Sequence, residues 1–307
     1  MKYALWILQI LFVPLIAPLG VGIINKIKAR MQGRRGAGIF QPYRNIRKLF
    51  RKDEVISRDA SWIFRAAPFI IFGATLVVGT SVPLFSLVLN APTSDLLMVV
   101  YLLGLGTFFL ALAGMDTGSA FGGFGSSREM TISSIAEGTL IFSILPLVVL
   151  CGTTNLTSIA GHITGEYSHF IVPIILAFLG FLVAMLGEAK RYPFDNPDTH
   201  LELTMVHEAM LLEYSGKRLA LMEWSAFSRL FIFAALAADL FFPVGIANSS
   251  SLVDVLIGIG ALLGKTLIIY CGIAILESVI AKFRYFRLHL LLFAAFVLNL
   301  IAIGLAS

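Results

Sequence analysis

The sequence predicts an all-α, multi-pass membrane protein with about eight transmembrane helices in a single domain, residues 1–307. Three observations carry this prediction. First, 58% of the 307 residues are apolar and 13% are charged, against about 45–50% and about 25% in soluble domains. The mean hydropathy is +0.90. Second, the excess sits in nearly chargeless runs of about 18–24 residues, long enough to cross a hydrocarbon core of about 30 Å. Third, the basic residues gather in alternate loops. This composition excludes a soluble globular enzyme, a disordered chain, a collagen and a nucleic-acid-binding domain. A membrane β-barrel is excluded too, because its strands alternate polar and apolar over about ten residues.

The apolar runs lie at about 4–24, 67–90, 96–114, 131–151, 170–187, 226–247, 252–275 and 288–306. The first reads as a retained helix. Lys2 is the only charge before it, and no small-x-small cleavage site follows. Pro14 and Pro18 interrupt it and suggest a kink. No internal repeat appears, which argues against an inverted-repeat transporter. All 23 lysines and arginines except Lys2, Arg229 and Lys265 fall in four loops, at 25–66, 115–130, 188–225 and 276–287. The positive-inside rule puts these loops in the cytoplasm and both termini outside. Loop four, 152–170, reads as a polar turn region. The net charge of +5 therefore reports topology and contact with anionic lipid rather than nucleic acid. Cys151 and Cys271 form no CxxC pair and read as small apolar residues in helices. An iron–sulfur centre would have to lie in another chain.

Loop one carries glycines at 33, 36 and 38, then YRNIRKLF at 43–50. Ile46, Leu49 and Phe50 recur at helical spacing among Arg44, Arg47, Lys48 and Arg51, the pattern of an amphipathic helix at a membrane face. With Arg34 and Arg35 it offers either a docking surface for an acidic partner or a solvated basic loop. In loop three, glycines 118, 122, 123 and 125 lack the GK[ST] of a phosphate loop and read as a close turn against packed helices. Asp116, Arg128 and Glu129 sit there at the membrane edge, able to pair.

Glu137 is the sharpest residue within the spans. An ionised carboxylate at that depth costs about 2.5–3.5 kcal/mol or more, so it needs a partner, a proton or water. It reads as a proton- or ion-relay group or as a structural carboxyl bonded to a neighbouring helix. Asp239 and Lys265 are similarly placed, and Glu277 lies nearer an end. In loop five, Asn196, Pro197 and Asp198 suit a helix start and Gly216 a stop, which predicts a helix over 198–215. On it Glu202 and Glu213, eleven apart, fall within about 20° of one line. His200 and His207 stand two turns apart and no third ligand is forced near them, so no metal is expected. The acids Glu188, Asp195, Asp198, Glu202, Glu208, Glu213 and Glu223 form a file that fits proton transfer better than hydrolysis.

The ordered motifs RRGAG (34–38), QPYRNIRKLF (41–50), GMDTGS (114–119), SRE (127–129), PFD (193–195) and EYSG (213–216) resemble the first membrane subunit of complex I, the respiratory NADH-quinone oxidoreductase. The likeness is to its hydrogenase branch, which includes formate hydrogenlyase subunit 4, hydrogenase-4 component C and the membrane subunit of group 4 membrane-bound nickel–iron hydrogenases. It covers nearly the whole chain. Ala37 stands where the family usually has proline, and Gly138 where it has proline after the glutamate.

The resemblance implies a non-catalytic, cofactor-free subunit of the cytoplasmic (inner) membrane that anchors the redox arm. The NiFe centre and iron–sulfur clusters are then expected in partners: hydrogenase large and small subunits, beside antiporter-like membrane subunits. Asp116, Glu129, Glu137, Asp195, Glu202, Glu208 and Glu213 match the family's acidic positions, Arg128 its basic partner, and Gly36 and Gly38 the loop-one turn. A quinone-binding complex I subunit is the alternative. A freestanding transporter and a purely structural anchor are further readings.

Overall fold

A backbone crossing hydrocarbon must satisfy its own N–H and C=O groups, and helices do so within one segment. The computed structural model follows that rule. It describes residues 2–88, 93–166, 170–195, 205–249, 251–281 and 283–306. Along these the helices are α1 (Lys2–Met31), α2 (Gln41–Phe50), α3 (Trp62–Ser81), α4 (Leu96–Asp116), α5 (Ala120–Cys151), α6 (Leu156–Glu166), α7 (Ile171–Glu188), α8 (His207–Leu211), α9 (Gly216–Phe241), α10 (Leu252–Val279) and α11 (Tyr285–Ala306). Eight of them, all but α2, α6 and α8, are long and apolar enough to cross a membrane.

Several expected boundaries move. Loop three is mostly helix, because α5 begins at Ala120. Its glycines act as contact points on a helix. A Cβ on Gly122 would lie 2.2 Å from the Gly114 carbonyl oxygen, and one on Gly125 would lie 2.9 Å from Ala209. At 32 residues, α5 is about 48 Å long and extends past the hydrocarbon. The apolar runs at 67–90 and 226–247 end early as helices, at Ser81 and Phe241. The chain beyond them is extended and paired: Leu87 N donates to Ala247 O at 3.0 Å and Ala247 N to Phe85 O at 3.1 Å. Gly258 of α10 makes room, since a Cβ there would fall 2.3 Å from Phe85 O. Loop four contains a helix, α6, rather than only turns.

The predicted helix over 198–215 is also corrected. Its described part is helical only at His207–Leu211, and residues 196–204 lie outside the described residues. Gly216 does not stop that helix. It begins α9 with φ +54, and a Cβ there would approach Asp53 O to 2.9 Å. Contact with loop one, absent from any local rule, decides that boundary.

Prolines inside helices leave a carbonyl four residues back without its donor. Two such carbonyls find side-chain donors. Pro18 frees Pro14 O, which accepts from Trp224 Nε1 at 2.7 Å. Pro68 frees Phe64 O, which accepts from the Tyr214 hydroxyl at 2.9 Å. Tyr214 also stacks on Phe64 at 3.9 Å. Burial pushes the Tyr214 hydroxyl's pKa up, so it stays a donor. The amphipathic α2 buries Pro42 and Ile46 and is tied down by Tyr43, whose hydroxyl donates to Leu15 O in α1. Across α5, α7 and α11, fully buried Asn299 donates to Thr139 O at 3.1 Å, in space left by Gly180.

The four basic loops share one end of the bundle. Asp116 of α4 accepts from Ser61 N and Phe64 N at 2.8 and 3.3 Å, and Phe283 N donates to Pro193 O at 3.3 Å. Lys28 and Arg191 both reach Glu277, at 3.1 and 3.3 Å.

Candidate functional site

At this basic end lies a cavity of about 290 Å³ bounded by α1, α2, α3, α4, the end of α7, α8 and α9. Its lining includes apolar side chains of α1, α3 and α4, such as Val21, Ile71, Leu102, Leu103 and Leu110. It also includes three carboxylates, Glu188, Glu208 and Glu223, and three cations, Lys190, Arg191 and Arg229, from the end of α7, α8 and α9. A water's share of liquid volume is about 30 Å³, so the space suits a water file of on the order of ten molecules. It falls at the lower edge of organic-ligand pockets, about 300–1,000 Å³.

The charged lining comes from the end of α7, from α8 and from the interior of α9. Where α7 stops, GEAKR brings Glu188, Lys190 and Arg191 to the rim. Lys190 sits in the left-handed region, φ 54, the conformation that commonly closes a helix C-terminus. Arg191 N then bonds Leu186 O at 3.0 Å. Lys190 pairs with Glu129 of α5, which is fully buried. Arg191 pairs with Glu277, which Lys28 also neutralises. Arg229 of α9 pairs with Glu188 and donates to Thr107 Oγ1 at 2.8 Å. Against the lining residue Glu188, Ser133 Oγ stands 3.4 Å from Glu188 Oε1 and 3.3 Å from Glu137 Oε1. Glu137 is half-buried against α4, where a Cβ on Gly104 would meet its Oε1 at 3.1 Å.

The structure therefore places the expected residues as follows. Glu208 lines the cavity, whereas Glu129 and Glu137 connect to lining residues, Glu129 by pairing with Lys190 and Glu137 through the Ser133 hydroxyl beside Glu188. Asp116 does not pair with Arg128. It caps the start of α3, because that helix leaves orphan N–H groups beside it. Arg128 donates to Met205 O at 3.3 Å. Asp195 accepts from His207 N at 3.1 Å and so fixes α8. Glu213 lies exposed in the turn after α8, away from the cavity. Glu202 lies outside the described residues. Asp239 pairs with Lys265, which also donates to Phe242 O at 3.1 Å, and neither lines the cavity. Arg34 and Arg35 are exposed. Gly36 turns with φ 63 over Ala29, and Gly38 is exposed in the same loop. No group of three or more potential metal ligands occurs among the described residues.

A family model described as NADH dehydrogenase matches residues 4–306. The chain belongs to that family, which is the family of complex I membrane subunit 1. Hydrogenase-4 component C of Escherichia coli K12 is 36% identical over 295 residues, 96% of this chain and 92% of that protein. Formate hydrogenlyase subunit 4 of the same strain is 29% identical over 279 residues, 91% and 90% of the two chains. An NADH-quinone oxidoreductase subunit of Rubrobacter xylanophilus is 30% identical over 226 residues, 71% and 67%. A chain of the archaeal membrane-bound sulfane sulfur reductase superposes with TM-score 0.86 at 20% identity over 99% of both chains, a shared fold. The protein is a multi-pass membrane subunit of the complex I-related respiratory and hydrogenase type.

Within this NADH dehydrogenase family member, residue patterns understate Glu188, Lys190, Arg191, Glu223, Arg229 and Ser133. The first three are visible as a charge cluster ending an apolar span. The others lie on helices that start outside the hydrocarbon or carry a common hydroxyl, and only neighbouring helices reveal what they face.

Proposed function

We propose that this chain is the membrane-anchor and proton- or ion-coupling subunit of a group 4 nickel–iron hydrogenase-type, formate hydrogenlyase-like complex. On this reading it lies in the cytoplasmic membrane as one domain, with its basic end facing the cytoplasm. The observation that carries it is the chain of carboxylates running from the cavity wall through Glu188 to Glu137, two acids held against one hydroxyl within the spans. The likeness to hydrogenase-4 component C supports the hydrogenase type. The exposed basic loop one, with α2, supplies a surface for the arm that bears the large and small subunits. A change of charge in that arm alters the protonation of the cavity acids, and Glu137 hands the change sideways to neighbouring antiporter-like subunits.

Glu137→Gln tests this in the intact complex. It keeps the shape and removes the exchangeable proton. Ion translocation should fall while assembly and redox turnover persist. Unchanged translocation in that variant refutes the role. The apolar residues among the cavity lining favour a second reading, a quinone site. Quinone in lipid extracts of the purified complex, or inhibition by quinone-site ligands, selects that one instead.

A further inference from the structure

We propose that Ser133 is the proton-switching hydroxyl between Glu188 and Glu137, an inference that rests on the coupling role given above. The α5 helix carries many hydroxyls, and most are spent on its own backbone. Ser127, Thr131, Ser134, Thr139 and Ser143 each donate to a carbonyl three or four residues back, the ordinary habit of helical serine and threonine. Ser133 departs from it. Its Oγ sits between two carboxylates, Glu137 of its own helix and Glu188 of α7, 3.3 Å from Glu137 Oε1 and 3.4 Å from Glu188 Oε1. The residue is buried.

The chemistry follows from what a hydroxyl supplies: one donor and two acceptor lone pairs. With both carboxylates ionised, the single O–H serves one of them and the other faces oxygen lone pairs. With one proton shared by the pair, the chain carboxyl–hydroxyl–carboxylate is complete, donor to acceptor throughout. Both contacts are longer than the usual 2.7–2.8 Å for O–H···O bonds, and a shared proton draws them in.

The transfer step balances without any electron movement. The Glu137 carboxyl O–H breaks as its proton bonds to Ser133 Oγ. The original Oγ–H breaks as its proton bonds to Glu188 Oε1. The hydroxyl is regenerated, one proton has moved from Glu137 to Glu188, and the reverse sequence moves one outward. The groups facing the two acids are unequal. Glu188 has the Arg229 guanidinium against it, itself held by Thr107. Glu137 has no ion-pair partner among the described residues and lies over Gly104. The near cation Lys190 is engaged by Glu129. Ser133 is thus a positioning and relay residue joining a cation-bound acid to an acid without one.

The test compares Ser133→Ala, Ser133→Thr and Glu137→Gln in the intact complex in sealed membrane vesicles. Ions moved per redox turnover are measured in H₂O and D₂O. Ser133→Ala should cut ions per turnover by at least about tenfold at unchanged yield, and Ser133→Thr, which keeps the hydroxyl, should restore most of it. The wild type should lose translocation rate in D₂O more steeply than Ser133→Ala. If Ser133→Ala moves ions normally while Glu137→Gln does not, the relay is wrong and the coupling role stands. Normal translocation in both removes both. Equal loss in Ala and Thr variants makes the position a packing site and overturns the relay. Should the alanine variant fail to assemble, Ser133→Cys keeps the volume with a weak donor and is expected to show the same loss; normal translocation in it overturns the proposal.

Discussion

Asp239 and Glu188 are both buried carboxylates held against a cation, and their surroundings differ. Asp239, near the far end of α9, has Lys265 as its partner, and the same lysine binds Phe242 O. Two residues further along, Phe241 packs on Phe178 and Phe181, and neither Asp239 nor Lys265 lines the cavity at the basic end. Glu188 also has a cation, Arg229, yet it lies on a cavity wall and shares a hydroxyl with a second acid. A charge inside hydrocarbon marks a place where energy has been spent. Whether it marks a route depends on what the group is connected to.

That contrast can be broken at several points. The largest effect belongs to Arg229→Met, which strands Glu188 without its cation. Removing one member of a buried pair costs about 3–5 kcal/mol. A drop in yield and in the melting temperature of the detergent-solubilised complex checks it, and an unaffected complex would show Glu188 to be solvated. Lys265→Met likewise strands a buried carboxylate, Asp239, and should cost about 3 kcal/mol, less than Arg229→Met because the cavity acids are not coupled to it. Adding Asp239→Asn should recover most of that loss, because a matched neutral pair carries no stranded charge. A double variant as unstable as the single one would give Asp239 more partners than Lys265. The same double variant should pump normally, unlike Glu137→Gln.

Tyr214→Phe is the smallest. It leaves Phe64 O without a donor at a cost near 1 kcal/mol but keeps the ring stack. Its pH signature is specific. The buried hydroxyl holds its proton to higher pH than in the unfolded chain, where tyrosine ionises near 10. The native state therefore binds more protons above that pH, and its stability falls as pH rises. The contribution is fully present below pH about 10 and absent in Tyr214→Phe, so the wild-type stability should decline more steeply in alkali. Parallel curves from thermal melts at stepped pH would remove Tyr214 as the donor to the freed carbonyl.

How much of this is legible in the residues varies by element. The spans at 96–114 and 170–187 appear as helices over nearly the same residues, since an unbroken apolar run has one solution in lipid. The runs at 67–90 and 226–247 mislead at their far ends, where Phe85 and Leu87 pair with Ala247. Hydropathy is the same for an apolar helix and an apolar extended pair, so it is silent on that choice. In loop five, capping residues imply a helix that ends at Gly216, whereas contact with loop one makes Gly216 the beginning of α9. At the site, Glu137 stands out alone because it is costly on its own. Glu188 looks like a span terminus and Ser133 like an ordinary helical hydroxyl.

Local composition alone determined the eight crossing segments and the sorting of basic loops to one end, because desolvating charge and backbone is costly wherever the chain sits. Tertiary structure alone decided the pairings: Lys190 with Glu129, Arg229 with Glu188, Trp224 and Tyr214 with carbonyls that prolines had freed, and Ser133 with two acids. Such partners are distant in sequence, and the energy of an ion pair or hydrogen bond depends on distances of a few ångströms that only the packed helices set.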